Sequence, residues 1–225
     1  MMRTAVFIQV RLGSTRLRSK ALLPFAGSTI IVHVMRALRL VQADVYALVT
    51  DAASAEALRP AAASEGWEVF VGPGEDVLAR YCRAARAFEA DRIVRATGDN
   101  PFTSPALADR IGAMHAAHGA DLSHYLGNPW GTGVEVIEAK ALFAAEAEAG
   151  QPEEREHITT WLYRHRERFV ILEPPAPSEC FLPDAKVSID TAEDYERVSG
   201  LFAALYKGAP VETDALVRFL GAVHA

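Results

Sequence analysis

Cysteine is scarce in this 225-residue chain: only Cys82 and Cys180 occur, far apart and without CxxC spacing. That excludes a disulfide framework and a zinc site built on paired thiols. Cys82 falls on the apolar face of an expected helix, where a free thiol serves as core. Long hydrophobic runs are missing as well, and nothing approaches the roughly 18 apolar residues of a membrane span. The N-terminal apolar run is about six residues and arginines follow at once, so no secretory leader is expected and the protein is placed in the cytoplasm. Basic charge is in deficit: 23 Lys and Arg against 29 Asp and Glu leave a net charge of −6. A general nucleic-acid binder would carry a basic field instead. Several catalytic signatures are also lacking. There is no GxxxxGK[ST], no Gly-x-Ser-x-Gly and no HExxH. Gly72-Pro73-Gly74 and Gly131-Thr132-Gly133 lack a third glycine at dinucleotide-fold spacing.

What remains is an ordinary globular balance, 50% apolar and 23% charged, at a length that favours one domain. Short apolar runs alternate with longer helical patterns, the mark of βαβ units and a mainly parallel sheet. Strands are expected over 5–8, 45–50, 67–71, 92–96, 134–137, 169–172 and 186–189, with a short one near 121–125. Ser28 is expected to cap a helix bearing Ile30, Ile31, Val34, Met35 and Leu38 at helical spacing. A second, alanine-rich helix follows Asp51, and a third opens at Glu75-Asp76 with Leu78, Tyr81, Cys82, Ala85 and Phe88 on one face. Ser104 with Pro105 starts another. A charged helix is expected over 153–168, a capping box at Thr191 and Asp194, and a final helix capped by Thr213. Residues 1–225 read as a single unit in which 121–180 is a candidate projecting subdomain.

Chemistry concentrates at expected strand ends. Residues 9–20 form a glycine- and hydroxyl-rich turn carrying Arg11, Arg16, Arg18 and Lys20 directly after the first strand. Backbone N–H groups and such cations suit polyphosphate, although a solvated basic loop has the same composition. Asp99 and Asp190 end two further strands. Two carboxylates brought together in this way suit Mg²⁺, which completes its shell with phosphate oxygens and water. Singly, each has a structural reading: Asp99 holds a turn before Pro101, and Asp190 caps a helix. Trp130 and Trp161 read as packing residues. His157 stands in the charged run Glu154-Arg155-Glu156-His157-Ile158-Thr159, for which a solvated helix face is the default.

The run 9–20 resembles the N-terminal motif of sugar cytidylyltransferases, and the chain is most similar to the spore-coat polysaccharide (SpsF) type of that family. The resemblance recurs in Glu75-Asp76-Val77-Leu78-Ala79-Arg80-Tyr81, Thr97-Gly98-Asp99-Asn100-Pro101 and Gly133-Val134-Glu135. It continues in Arg155-Glu156-His157-Ile158-Thr159 and Ser188-Ile189-Asp190-Thr191-Ala192-Glu193-Asp194-Tyr195, covering residues 3 to about 200 in order. It implies the three-layer, Rossmann-like α/β fold of nucleotide-diphospho-sugar transferases, shared with the synthetases of CMP-KDO and CMP-sialic acid. It also implies cytidylyl transfer from CTP to a small sugar-like acceptor, with Mg²⁺ as cofactor and a homodimer built through 121–180. Arg11, Gly13, Ser14, Arg16 and Lys20 would meet the triphosphate, with Arg11, Arg16 and Lys20 taking part in catalysis. Gln9, Thr50, Asp51, Asp76 and Arg80 would bind the rest of the nucleotide. Asp99 and Asp190 would hold the metal, Glu135 would serve the transfer step, and Arg155 and His157 would face the acceptor.

One departure stands out. The family shows Leu-Pro-Gly-Lys at the end of the first motif, where this chain has Leu17-Arg18-Ser19-Lys20. Proline and glycine both impose special backbone geometry, so the turn before Lys20 is expected to differ. Two rival functions follow from the same residues. A glycosyltransferase on the related fold would commonly carry Asp-x-Asp, which is absent here. A non-catalytic nucleotide-binding protein would draw its support from Arg18 and Ser19 alone.

Overall fold

The computed structural model describes residues 2–223. The chain begins with β1 (Thr4–Gln9), then a two-residue hairpin of β2 (Pro24–Phe25) and β3 (Ser28–Thr29), then α1 (Ile30–Leu38). β4 (Val45–Asp51), α2 (Ala52–Ser64), β5 (Glu68–Gly72), α3 (Val77–Ala87), β6 (Arg92–Thr97) and α4 (Pro105–His118) follow in alternation. Next come β7 (Leu122–Ser123), β8 (Glu135–Glu138), α5 (Ala139–Glu148), α6 (Pro152–Glu156), α7 (Thr160–Arg164) and β9 (Ile171–Leu172). The chain closes with α8 (Ala192–Leu205) and α9 (Thr213–Val223).

One seven-stranded sheet in the order β5-β4-β1-β6-β8-β7-β9 forms the middle layer. β4, β1 and β6 pair in parallel, and β8 runs antiparallel to both β6 and β7. Strand alternation decides the layers. In β1, Val6 and Ile8 face a core built with α1, α4 and α8, while Ala5 and Phe7 face one built with α3, α5 and α7. The expected three-layer α/β fold is what the chain adopts. From β1 the chain fills the sheet to one side, with β4 and β5, and then crosses to β6 on the other. The carboxyl ends of β1 and β6 therefore flank a topological switch point, where open α/β sheets bind ligands. Among the described residues, no helix is long and apolar enough to cross a membrane.

Several local expectations are corrected. Ser28 does not cap α1: it lies in β3, paired with Phe25 across the turn Ala26-Gly27, whose φ values of 42° and 81° are those of a tight hairpin. Thr29 takes the cap position without a side-chain hydrogen bond. The helix expected over 153–168 is broken between Glu156 and Thr160. Three successive β-branched residues, Ile158-Thr159-Thr160, are the weak helix formers at that break. The stretch 186–189 is extended but makes no strand ladder. Instead Val187 N donates to Trp130 O and Ile189 N to Asp99 O, so the segment stitches loops together. Thr213 opens α9, yet its buried hydroxyl has no partner among the described residues. Trp161 is core, as expected, but Trp130 is 71% exposed. The caps read at Ser104, Asp76 and Thr191 are present.

Candidate active site

The turn after β1 folds back over the sheet's carboxyl edge and delivers Lys20 to the centre of the site. Lys20 Nζ donates to Asp99 Oδ2 at 2.6 Å, to Ile189 O at 2.7 Å and to Asp190 Oδ1 at 3.2 Å. Arg16 Nη2 reaches the same Asp190 oxygen at 3.4 Å. Asp99 arrives from the end of β6 and Asp190 from the extended segment before α8, 91 residues later in the chain. Partial burial works against the Asp190 charge, but Lys186 and Lys20 outweigh it and hold its carboxyl below the usual range.

The altered motif has a visible consequence. Ser19, directly before Lys20, adopts φ 50° and ψ 29°, a left-handed conformation that glycine takes without strain. Its N–H donates to Leu12 O and its carbonyl accepts from Leu22 N, so backbone hydrogen bonds close the turn on both sides.

Asp99 and Asp190 test well as a cation site. Oxygens of both carboxylates converge on one nitrogen, the Lys20 ammonium, so a single positive centre between them is already part of the design. Among the described residues no group of three His, Cys, Asp or Glu side chains forms a metal cage. A metal here would take its remaining ligands from substrate and water, which is how Mg²⁺ is usually held on phosphates.

Two cavities meet at this point. The first, of about 460 Å³, is lined by Gln9, Arg11, Gly13, Ser14, Lys20 and Asp51 together with Glu75 and Asp99. The second, of about 750 Å³, is lined by Arg16, Arg95, Asn100, Trp130, Glu135, His157 and Ser188, and it shares Thr97 and Asp99 with the first. Both volumes lie in the range of small-molecule sites.

The remaining predicted residues are placed as follows. Arg11 Nη1 donates to Gly74 O at 2.8 Å, and the buried Arg80 donates to Pro73 O at 2.6 Å and to Gly74 O at 3.2 Å. Both guanidinium groups thus brace the loop before α3. Arg80 Nε and Nη2 have no partner among the described residues, and burial lowers its pKa. Thr50 is fully buried, its hydroxyl donating to Val10 O at 2.7 Å, so it ties β4 to the basic turn. Asp51 caps α2 through Ser54 N and still borders the first cavity. Asp76 caps α3 and receives the Arg155 guanidinium, whose other arm donates to Glu146 O at 3.0 Å. Arg155 therefore sits on the α3 side of the site and outside the lining of the second cavity. His157 is exposed at that cavity.

Glu135 opens β8 opposite Arg95 of β6 and is ion-paired to it. Arg95 also donates to Gln9 Oε1 at 3.1 Å, and Thr159 Oγ1 donates to Glu135 Oε1 at 3.2 Å. Burial opposes the Arg95 charge, but Glu135 more than compensates and raises its pKa. Arg95 was not among the residues expected from sequence. A charged side chain interrupting the apolar strand Ile93-Val94-Arg95-Ala96 was its signal, since such a residue needs a buried partner.

Comparisons with known proteins identify the family and the fold. A family model described as Cytidylyltransferase matches residues 5–211. The spore coat polysaccharide biosynthesis protein SpsF of Bacillus subtilis is 32% identical, over 95% of this chain and 92% of its own length. Among solved structures, a cytidylyltransferase from Leptospira borgpetersenii superposes with a TM-score of 0.92 at 25% identity, covering 100% of this chain and 96% of the other. A CMP:2-keto-3-deoxy-manno-octonic acid synthetase complexed with CTP shares the fold, with a TM-score of 0.67 at 18% identity over 90% of this chain and 99% of that one.

Proposed function

The chain belongs to the cytidylyltransferase family and is a nucleotidyltransferase, and from that premise we propose that it moves the cytidylyl group of CTP onto a small sugar-like acceptor, releasing pyrophosphate for cell-surface polysaccharide synthesis. The observation that carries this reading is the meeting of Lys20, Asp99 and Asp190 where two cavities join. CTP occupies the first cavity and the acceptor the second, so the α-phosphorus lies at their border.

In-line attack needs positioning and charge neutralisation more than covalent help. Arg11, Arg16 and the N–H groups around Gly13 and Ser14 hold the triphosphate, and Gln9, Asp51 and Glu75 border the nucleoside. Asp99 and Asp190 would hold Mg²⁺, which when bound would neutralise phosphate oxygens and ease departure of pyrophosphate. Lys20 adds a second positive charge against the same phosphate. The acceptor oxygen forms a bond to the α-phosphorus, the bond from that phosphorus to the bridging oxygen breaks, and the acceptor proton passes to Glu135. Arg95 orients Glu135 from one side and Gln9 from the other, linking the two cavities. His157 stands over the acceptor. The reading includes a cytoplasmic homodimer formed through 121–180, the segment that supplies β7, β8 and the edge strand β9.

Thermal unfolding with each ribonucleoside triphosphate and Mg²⁺ tests this function. Ligand at about 100 times its dissociation constant adds roughly 2.7 kcal/mol, which in a chain of this size moves the midpoint by roughly 5–10 °C. CTP alone is expected to give that shift, and Lys20→Ala to lose it. Equal shifts for all nucleotides, or none, defeat the reading.

A further inference from the structure

We propose that Arg95 is a positioning residue that couples the two cavities. A nucleotide in the first fixes Gln9 and, through Arg95 and Glu135, orders the 157–159 segment that carries His157 into the second. This deepens the cytidylyl-transfer reading and rests on it.

The sheet places Arg95 for this role. It is paired in register with Phe7 of β1 on one side and with Glu135 of β8 on the other, so all three share one face. Gln9 ends the same face of β1, two residues beyond Phe7. The fully buried Tyr81 of α3 bears on the guanidinium from that face. The Arg95 side chain is only 18% exposed, and a charge so placed needs partners.

Its fork is divided between the cavities. Nη1 is paired with Glu135 Oε2, and Nη2 donates to Gln9 Oε1 at 3.1 Å. Glu135 borders the second cavity and Gln9 the first. An ion pair alone would need no Gln9. A guanidinium carries only donors, so the Gln9 atom turned to it is the oxygen. The amide nitrogen keeps its two donors for a ligand in the first cavity. A ligand on that nitrogen holds the whole amide, and with it the oxygen that steadies Arg95.

The contacts continue past Glu135. Its second oxygen, Oε1, accepts from Thr159 Oγ1 at 3.2 Å. Thr159 lies in the break between α6 and α7, two residues after His157, which lines the second cavity. A break between helices opens more readily than the helices themselves, so a new constraint shows there first. Each link is a direct polar contact, and each side chain loses freedom when its neighbour is held. Ordering at one end therefore lowers the entropy lost in ordering the other. By linkage the effect is reciprocal, and an acceptor tightens the nucleotide by the same factor.

The test measures amide hydrogen exchange of the whole protein in Mg²⁺, with and without a saturating α,β-methylene analogue of CTP. Residues 157–159 report, and α9, which borders neither cavity, is the control. The analogue is expected to slow exchange over 157–159 by about fivefold or more and to leave α9 unchanged. Gln9→Met removes the amide and leaves the Arg95–Glu135 pair in place. Arg95→Lys keeps the charge and has no fork to divide. Both variants, saturated with the analogue, are expected to lose the slowing, and the double variant to lose no more than either. Gln9→Glu still offers the guanidinium an oxygen and is expected to retain it. An Arg95 that only held the fold together would change exchange without nucleotide and leave the nucleotide-dependent slowing intact. The proposal is overturned if the analogue binds and 157–159 does not slow, or if the slowing survives in Gln9→Met. That variant decides the matter should Arg95→Lys fail to fold. Failure of the analogue to bind, read by calorimetry, overturns the cytidylyl-transfer reading as well, which separates the two outcomes.

Discussion

The Lys20 ammonium stands 2.6 Å from the Asp99 carboxylate, inside the position that a metal bound to Asp99 and Asp190 would share. The lysine draws the two carboxylates to one positive centre, Asp99 at 2.6 Å and Asp190 at 3.2 Å. On the proposed reading, a metal held by the same two carboxylates would compete with this ammonium.

Replacement of that lysine should separate metal binding from catalysis. Lys20→Ala is expected to tighten Mn²⁺ binding in the absence of nucleotide by about tenfold, since a positive charge beside the carboxylates is gone. The same change should lower the transfer rate by about 10²–10³, the usual loss for one preorganised electrostatic contact. Titration calorimetry with Mn²⁺ checks the first half, and unchanged affinity would show that Lys20 does not compete.

Ser19 stores strain that glycine would release. Ser19→Gly removes a left-handed cost of about 1–2 kcal/mol and gives back about 0.4–1 kcal/mol through the freer unfolded chain. The net gain should raise the melting midpoint by roughly 1–3 °C. Ser19→Val, with a β-branched side chain in the same conformation, should lower it. Calorimetry on both variants decides.

His33 should make stability fall on mild acidification. Burial lowers its pKa below the ordinary 6.5, against the opposing pull of its hydrogen bond to Phe25 O at 2.8 Å. The unfolded chain then binds the proton first, so stability is full above about pH 6.5 and is lost as pH falls below it. The slope from this group reaches at most about 1.4 kcal/mol per pH unit. Urea unfolding between about pH 7.5 and 5 should show it, and His33→Gln should flatten it.

Arg155 should affect the nucleotide more than the acceptor, because its guanidinium is spent on Asp76 at the start of α3. Arg155→Ala is expected to raise the KM for CTP by about 5–10-fold while changing the acceptor KM less than about twofold. The opposite split, in steady-state kinetics, would return Arg155 to the acceptor.

Much of this was legible in the chain. Alternating apolar runs announced the sheet because buried parallel strands need them, and Asp76, Ser104 and Thr191 announced helix starts because caps are local chemistry. Lys20, Asp99 and Asp190 were readable as residues that a bare scaffold does not need. The meeting of Asp99 with Asp190 was expected too, but the direct contact of Lys20 with both was not, since it depends on how distant segments meet. Local composition misled at Ser28, where hairpin pairing outcompeted a cap, and at 153–168, where a β-branched run broke the helix. Trp130 was read as packing because exposure of an aromatic is set by tertiary contacts alone. Arg95 escaped notice because a charge within a strand reveals its partner only once β8 lies beside β6.

The central claim is that Asp99 and Asp190 hold the metal that holds the nucleotide, and calorimetric titration of CTP with and without Mg²⁺ tests it most directly. In the native chain Mg²⁺ should tighten CTP binding by about tenfold or more. In Asp99→Asn and Asp190→Asn that enhancement should vanish, while metal-free CTP binds as well as or better than before, because a negative charge near the phosphates has gone. Undiminished enhancement in both variants would contradict the account and move the metal, and with it the transfer step, elsewhere.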